Sequence, residues 1–271
     1  MARRFLSTLA SHIEIERKFL PTHALLNAIT RPTESSPARL PPSIAHIHPA
    51  PKHFIQDIYY DRADGGLVSA GVWVRRRSIL VPGPASPTSS WEAKVRVGGD
   101  FAASQFVEVQ GAEAVEREIH RAVGARVAVD KIADHLAVMC DLTTRRLEGR
   151  VQLAPSVFPD DEDGAGLETL TVVIDQAIET PRAGLAGAPG SFDTLPDAAF
   201  SHEVGELEIV QEVRTEGDAV EKHEAHRKAV AGRRALQLGD FMRAHPALFP
   251  MEPKPRGKLE AYFAWAAGRR V

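Results

Sequence analysis

Glu14, Glu16 and Lys18 stand two residues apart in the stretch Ile13-Glu14-Ile15-Glu16-Arg17-Lys18-Phe19-Leu20. Successive side chains of a β-strand point to opposite faces. As a strand, this stretch puts the two carboxylates and the ammonium on one face and Ile13, Ile15 and Phe19 on the other, with Arg17 the misfit on the apolar side. Two neighbouring carboxylates can hold a divalent cation, and the lysine beside them can hold phosphate. Taken alone, such a strand is an ordinary one whose polar side meets water, so the rest of the chain decides.

The same oddity recurs. In Gly71–Ile79, alternation puts Trp73, Arg75 and Arg77 on one face. In Trp91–Val97 it groups Glu92, Lys94 and Arg96; in Ser104–Gln110 it groups Phe106, Glu108 and Gln110; in Val204–Val213 it pairs Glu206 with Glu208. Short antiparallel strands at this spacing suggest a barrel or a sandwich. If the apolar sides face outward onto helices, the charged sides share an interior. Unpaired ions there would cost many kcal/mol, and mixing acids with bases lowers that cost. A bound polyanion with a metal ion lowers it further. Arginine forks suit phosphate oxygens, and Mg2+ prefers carboxylate, phosphate and water oxygens.

The elements that must position these residues are strands with flanking helices. The spacing predicts a short helix over Thr22–Ile29 with Thr22 as N-cap, then strands at Phe54–Asp61, Gly71–Ile79, Trp91–Val97 and Ser104–Gln110. Gly65-Gly66 marks a turn, and Gly98-Gly99-Asp100 opens a hairpin. Residues 112–139 change to a helical period, broken near Gly124, and Cys140 falls at its end as a packed core thiol. Strands resume at Cys140–Arg146, Arg150–Leu153, Leu167–Ile174 and Val204–Val213. Helical patterns cover Asp218–Arg243 and Lys258–Ala267. Prolines in residues 30–53 predict an extended loop outside the core, and residues 78–90 and 176–203 read as further insertions. Residues 1–271 are expected to form one domain with its core at about 12–268.

The chain has 271 residues, 44% of them hydrophobic, and a net charge of -3, which argues against general nucleic-acid binding. Its one cysteine permits no internal disulfide, and no apolar run reaches the ~20 residues of a membrane helix. A cytoplasmic monomer is the expectation. Arg3 and Arg4 in an acid-free start keep mitochondrial targeting as the lesser alternative.

At this point the blocks Glu14-x-Glu16-x-Lys18, Trp73-Val74-Arg75-Arg76-Arg77, Trp91-Glu92-Ala93-Lys94, Thr144-Arg145-Arg146, Val173-Ile174-Asp175, Gly205-Glu206-Leu207-Glu208 and Gly257-Lys258-Leu259 carry a resemblance. In order and rough spacing, from residue 13 to about 265, they resemble the CYTH group, the triphosphate tunnel metalloenzymes, and within it the thiamine triphosphatase branch. The longer loops at 30–53, 78–90 and 176–203 depart from the pattern. The resemblance implies an α+β fold, a closed antiparallel eight-stranded β-barrel flanked by α-helices. It implies that Lys18, Arg75, Arg77, Lys94, Arg146 and Lys258 bind the triphosphate, that Glu108 lies in the tunnel wall, and that Glu14, Glu16, Asp175, Glu206 and Glu208 hold Mg2+ or its waters. Glu206, Glu208 and Lys94 are then the catalytic candidates. Arg145 stands beside Arg146, and a one-residue slip would exchange their faces. Trp73 shares the face of Arg75 and Arg77, and an aromatic at this place is implied to stack on the cationic thiazolium of thiamine. The activity implied is Mg2+-dependent removal of the terminal phosphate of thiamine triphosphate.

The alternatives are an inorganic triphosphatase on the same barrel, an adenylyl cyclase, or a polyphosphate-binding module without turnover. Other chemistry falls away. Gly257-Lys258 lacks the upstream glycine and following hydroxyl of a P-loop. His223 and His226 have no partner cysteine or HExxH pattern and read as surface residues. The pairs Arg233/Arg234 and Arg269/Arg270 read as solvated helix charges, and Asp160–Asp163 as a solvated turn without the spaced ligands of a calcium loop.

Overall fold

Period-2 patterning dominates the chain, and strands dominate the computed structural model. The structure describes residues 8–30, 40–80, 88–100, 102–124, 127, 128, 131–155, 157, 158, 167–181, 195, 198–216 and 219–269. Its strands are β1 (Thr8–Phe19), β2 (Ile44–Pro49), β3 (His53–Asp61), β4 (Val72–Leu80), β5 (Thr88–Gly99), β6 (Ala103–Gln110), β7 (Ala137–Leu153), β8 (Thr169–Glu179) and β9 (Ser201–Glu216). Its helices are α1 (His23–Thr30), α2 (Gly66–Ser69), α3 (Ala112–Val123), α4 (Ile132–His135), α5 (Val220–Ala244) and α6 (Lys258–Gly268).

The sheet runs β7-β3-β4-β5-β6-β1-β9-β8, and β8 pairs back onto β7. All of these pairings are antiparallel, so eight strands close into a barrel and none of the eight is left as an open edge. The fold is the expected α+β barrel flanked by helices. β2 is an additional strand, paired with Gly149–Leu153 of β7, beyond the part that β3 covers.

The apolar strand faces meet the helices. Ile13, Ile15 and Phe19 of β1 pack with Leu25 and Ile29 of α1 and Val230, Leu238, Phe241 and Met242 of α5. Each such buried side chain contributes about 1.5–3 kcal/mol. Gly205 of β9 lies opposite Phe19, and a Cβ there would meet the phenyl ring at 2.3 Å. Val115 and Ile119 of α3 cover Val74 and Ala93 from outside. The short helix α2 is held by Asp61, whose carboxylate accepts the Leu67 and Val68 N–H groups at 2.8 and 3.1 Å. Helix α6 rests on Tyr59, Cys140, Leu142 and Phe200 and buries none of its own residues fully. Among the described residues, no helix is long and apolar enough to cross a membrane.

Some expectations are corrected. Residues 30–53 are not wholly a loop outside the core: Ile44–Pro49 is a strand with Ile44 and Ile47 buried. Proline is tolerated there because β2 is an edge strand and Pro49 ends it. The insertions at 78–90 and 176–203 are narrower than read, since β4 runs to Leu80, β5 starts at Thr88, β8 runs to Glu179 and β9 starts at Ser201. The helical period of 112–139 ends at Val123, capped by Gly124 at φ +72. Among the described residues it returns for the four residues of α4, and Met139 and Cys140 belong to β7. The two strands read at 140–146 and 150–153 are one, continuous through Gly149, whose bare Cα admits Val172 and Ile47 side chains. Gly65-Gly66 leads into α2, and Thr22 caps α1 as expected, accepting Leu25 N–H at 3.2 Å.

His223 is buried, not on the surface, with hydrogen bonds of 3.0 Å to Ser11 Oγ and to Thr215 Oγ1. Arg234 is fully buried, its Nε donating to Gln211 Oε1 at 2.9 Å and its Nη1 to Gln237 Oε1 at 2.9 Å. Spacing on a helix could not show that β1 and β9 lie against this face of α5. Arg3, Arg4, Asp160–Asp163, Arg270 and most of the linker at 181–200 lie outside the described residues.

Candidate active site

Strand alternation turns one face of each barrel strand inward, and the contacts prove the direction. Lys94 of β5 donates to Glu14 of β1 at 2.7 Å although β6 lies between those strands. Lys258 of α6 reaches Asp175 of β8 at 3.1 Å and Asp57 of β3 at 3.6 Å, on either side of β7. Only side chains that share the barrel interior can skip a strand in this way. Glu14, Glu16, Lys18, Asp57, Arg75, Glu92, Asp175 and Glu208 are all buried.

Three groupings make up this interior. The first is a carboxylate trio: Glu14, Glu16 and Glu208 offer oxygens that lie within 4.8 Å of one another. Glu16 and Glu208 are cross-strand partners, which brings the first and last strands together here. Lys94 donates to Glu14 and, at 3.3 Å, to Glu16; Lys18 forms a tight ion pair with Glu16 and reaches Glu206 at 3.1 Å. The second is an arginine pair on β4. Arg75 gives Nε and Nη2 to Glu92 at 3.0 and 2.8 Å, while Arg77 grips Asp57 with two bonds of 2.8 and 2.9 Å. Glu108 lies between Arg75 at 3.7 Å and Lys94 at 3.2 Å. The third is Asp175, held by Arg146 in a two-bond fork at 2.8 and 2.7 Å and by Lys258.

The electrostatics separate these groupings. Burial works against charge on Asp57 and Asp175, but Arg75, Arg77 and Lys258 hold Asp57, and Arg146 and Lys258 hold Asp175, well below the usual carboxylate range. Burial likewise opposes charge on Glu16 and Glu108, yet Lys18 and Lys94, and Lys94 and Arg75, bring them down to about 2. The trio is different. Burial, reinforced by Glu16 and Glu108 against the pull of Lys94, pushes Glu14 up to about 7. Burial and then Glu14 push Glu208 well above its ordinary value. Acids outnumber the bases that touch them, and the shortfall falls on two members of the trio.

That shortfall is a test of fit for a divalent cation. Three hard carboxylate oxygens, mutually repelling and short of positive charge, suit Mg2+, which is held through one or two carboxylates plus substrate phosphates and keeps several waters. Thiolate and imidazole ligands, which would favour softer metals, are not part of this group.

Beside the trio lies a cavity of about 330 Å³. Its walls include Lys18, Arg75, Lys94, Arg146 and Lys258, and also Trp73, Arg96, Phe106 and Phe263. Cations therefore converge from β1, β4, β5, β7 and α6 on one space that also has an aromatic side.

The sequence-predicted residues are placed as follows. Glu14, Glu16 and Glu208 come together. Glu206 is turned to Lys18, and Asp175 lies in the Arg146–Lys258 clamp, so neither joins the trio. Lys18, Trp73, Arg75, Lys94, Arg146 and Lys258 line the cavity; Arg77 and Glu108 stand in the surrounding ion-pair network. Arg146, not Arg145, faces inward, opposite Asp175. The sequence reading gave no role to Asp57, Glu92 or Arg96. Asp57 was legible: it alternates with Tyr59 in Phe54–Asp61, and it stands opposite Arg77 as Tyr59 does opposite Arg75.

No protein-family model matches the chain, and no curated protein sequence matches it. Solved structures with a similar course include HpAC1 of Hippeastrum, a candidate adenylyl cyclase with a dominant triphosphatase activity, at 13% identity and TM-score 0.41 over 95% of this chain and 96% of that one. The PH1819 protein of Pyrococcus horikoshii aligns at 12% identity and TM-score 0.42 over 93% of this chain and 98% of its own. A candidate adenylate cyclase of Bacillus halodurans aligns at 13% and 0.35, over 90% and 96%. The fold rests on the strand pairings described above.

Proposed function

We propose that this protein is a Mg2+-dependent phosphohydrolase that removes the terminal phosphate of a triphosphate bound inside the barrel. The observation that carries the reading is the convergence of the Glu14/Glu16/Glu208 trio with a cation-lined cavity in one closed interior. The ExExK strand and the ordered blocks that resemble the triphosphate tunnel metalloenzymes support it.

When bound, Mg2+ would be held by Glu14, Glu16 and Glu208, where it would neutralise phosphate charge and polarise phosphorus. The chain's own residues supply the rest. Arg75, Arg146, Lys18, Lys94 and Lys258 grip the phosphate oxygens, with Arg77 behind them on Asp57, and oppose the charge that develops as the bridging P–O bond breaks. Their geometry is fixed before substrate arrives by Asp57, Glu92, Glu108 and Asp175, so the phosphates meet oriented donors. A carboxylate of the Glu206/Glu208 pair orients the attacking water and takes its proton.

For the substrate we propose thiamine triphosphate, because Trp73 enters the cavity wall beside the arginines rather than the packed core and has a π-face that an organic cation can take by displacing Arg96. A second reading, hydrolysis of inorganic tripolyphosphate, is favoured by Arg96, which already lies over that ring. The test is phosphate release from thiamine triphosphate, tripolyphosphate and ATP with Mg2+ and with chelator. Release from one of the first two, lost on chelation, is expected. Cyclic AMP formed from ATP, or no release from any of the three, would replace the reading with a cyclase or a binding module.

A further inference from the structure

The aromatic wall of the cavity carries a cation of its own. Arg96 Cζ lies 4.7 Å from the centroid of the Trp73 ring, the separation of a cation–π contact. Phe106 meets Trp73 edge-on, with centroids 5.6 Å apart and planes at 84°, and Lys94 Nζ lies 5.1 Å from the Phe106 centroid. The wall thus runs ammonium, phenyl, indole, guanidinium, and all four side chains border the space shared by Arg75, Arg146 and Lys258. The backbone fixes this placement: Arg96 N–H donates to Gly71 O at 2.8 Å, and Gly71 sits at φ +76 with the Arg96 Cβ in contact distance of where its own would be.

We infer that Arg96 is a specificity-determining residue of this site: it holds the face of Trp73 that an organic cation would use, and so biases the cavity toward triphosphates whose distal end is anionic. The inference rests on the triphosphatase reading and concerns the choice among its substrates. Two effects point the same way. A substrate with a cationic ring must displace the guanidinium from Trp73 or approach it as a like charge. A substrate ending in phosphate meets the same guanidinium as an opposite charge. Arg96 therefore weakens the first substrate and strengthens the second.

The experiment compares wild type, Arg96→Ala and Arg96→Lys on two compounds, thiamine triphosphate and tripolyphosphate, each with Mg2+. It reads kcat, KM and the calorimetric Kd. Arg96→Ala is expected to raise the ratio of kcat/KM for thiamine triphosphate over tripolyphosphate by roughly tenfold, the scale of one cation–π contact. The change should sit in KM and recur in Kd, with kcat within about twofold, because Arg96 touches the distal end and not the transferred phosphate. Arg96→Lys, which keeps the charge and loses the planar stack, should fall between. A ratio unchanged in both variants overturns the inference, even with hydrolysis intact. If wild type hydrolyses neither compound, the triphosphatase reading fails, and the Kd ratio for the same two compounds still decides Arg96: a roughly tenfold shift upholds its role, and no shift removes it.

Discussion

Replacing Asp57 with asparagine removes one charge from the most connected carboxylate of the barrel. Asp57 has no exposure; it takes two bonds from Arg77 at 2.8 and 2.9 Å and has Arg75 at 3.9 Å and Lys258 at 3.6 Å. Asparagine keeps the shape but turns an NH2 group toward a guanidinium that can only donate. Breaking a buried ion pair by removing one partner costs about 3–5 kcal/mol. The lower end applies here, since Arg75 retains Glu92 and Lys258 retains Asp175. Only Arg77 is stripped, left with Glu92 at 3.7 Å. A loss of about 3 kcal/mol lowers Tm by roughly 6–12 °C in a chain of this size. The assay is thermal and urea unfolding of both proteins without ligand, repeated from pH 7 to pH 2. The folded pKa of Asp57 lies below its ordinary 3.8. Its contribution is therefore complete above that value and is lost as pH falls below it, so wild type should lose its advantage over Asp57→Asn below about pH 4. A Tm difference under about 2 °C at pH 7, or one that does not shrink in acid, would refute the reasoning.

Three further outcomes follow from the same geometry. Arg75→Ala should lower kcat for the hydrolysed triphosphate by roughly 10²–10³, the cost of losing one donor to developing charge, read by steady-state phosphate release. Glu208→Gln should leave the chelated protein as stable as wild type or more so, because it removes a charge that burial and Glu14 oppose. It should also lose the rise in Tm that Mg2+ gives wild type. Gly205→Ala should destabilise by about 1–3 kcal/mol or more, measured by urea unfolding, because its Cβ would fall 2.3 Å from the Phe19 ring.

Much of the barrel could be read from alternation alone. Glu14/Glu16/Lys18, Arg75 with Arg77, Glu92 with Lys94, and Glu206 with Glu208 each place charge at period 2, and a charged face repeated along successive strands has few places to go but a shared interior. What stayed hidden depends on partners far away in sequence. The proline count of residues 30–53 hid β2 because an edge strand tolerates proline where a central one does not. The apolar spacing at the end of residues 112–139 fits a helix or a strand over so short a run, and pairing with β3 makes Ala137–Met139 the start of β7. His223 and Arg234 looked solvated because nothing local reveals that Ser11, Thr215 and Gln211 wait on β1 and β9. The division among carboxylates was also hidden. Sequence grouped Asp175 and Glu206 with the trio, whereas Arg146, Lys258 and Lys18 claim them in three dimensions.

On the proposed function, distant acids and bases meet in one interior to hold a cation against a polyphosphate. Anomalous scattering from crystals grown with Mn2+ and tripolyphosphate would test it most directly, Mn2+ being a hard-donor substitute for Mg2+. A manganese peak is expected among the carboxylates of Glu14, Glu16 and Glu208, with phosphate density between it and Arg75, Arg146 and Lys258. A barrel interior free of both, or a peak on the outer surface alone, would contradict it.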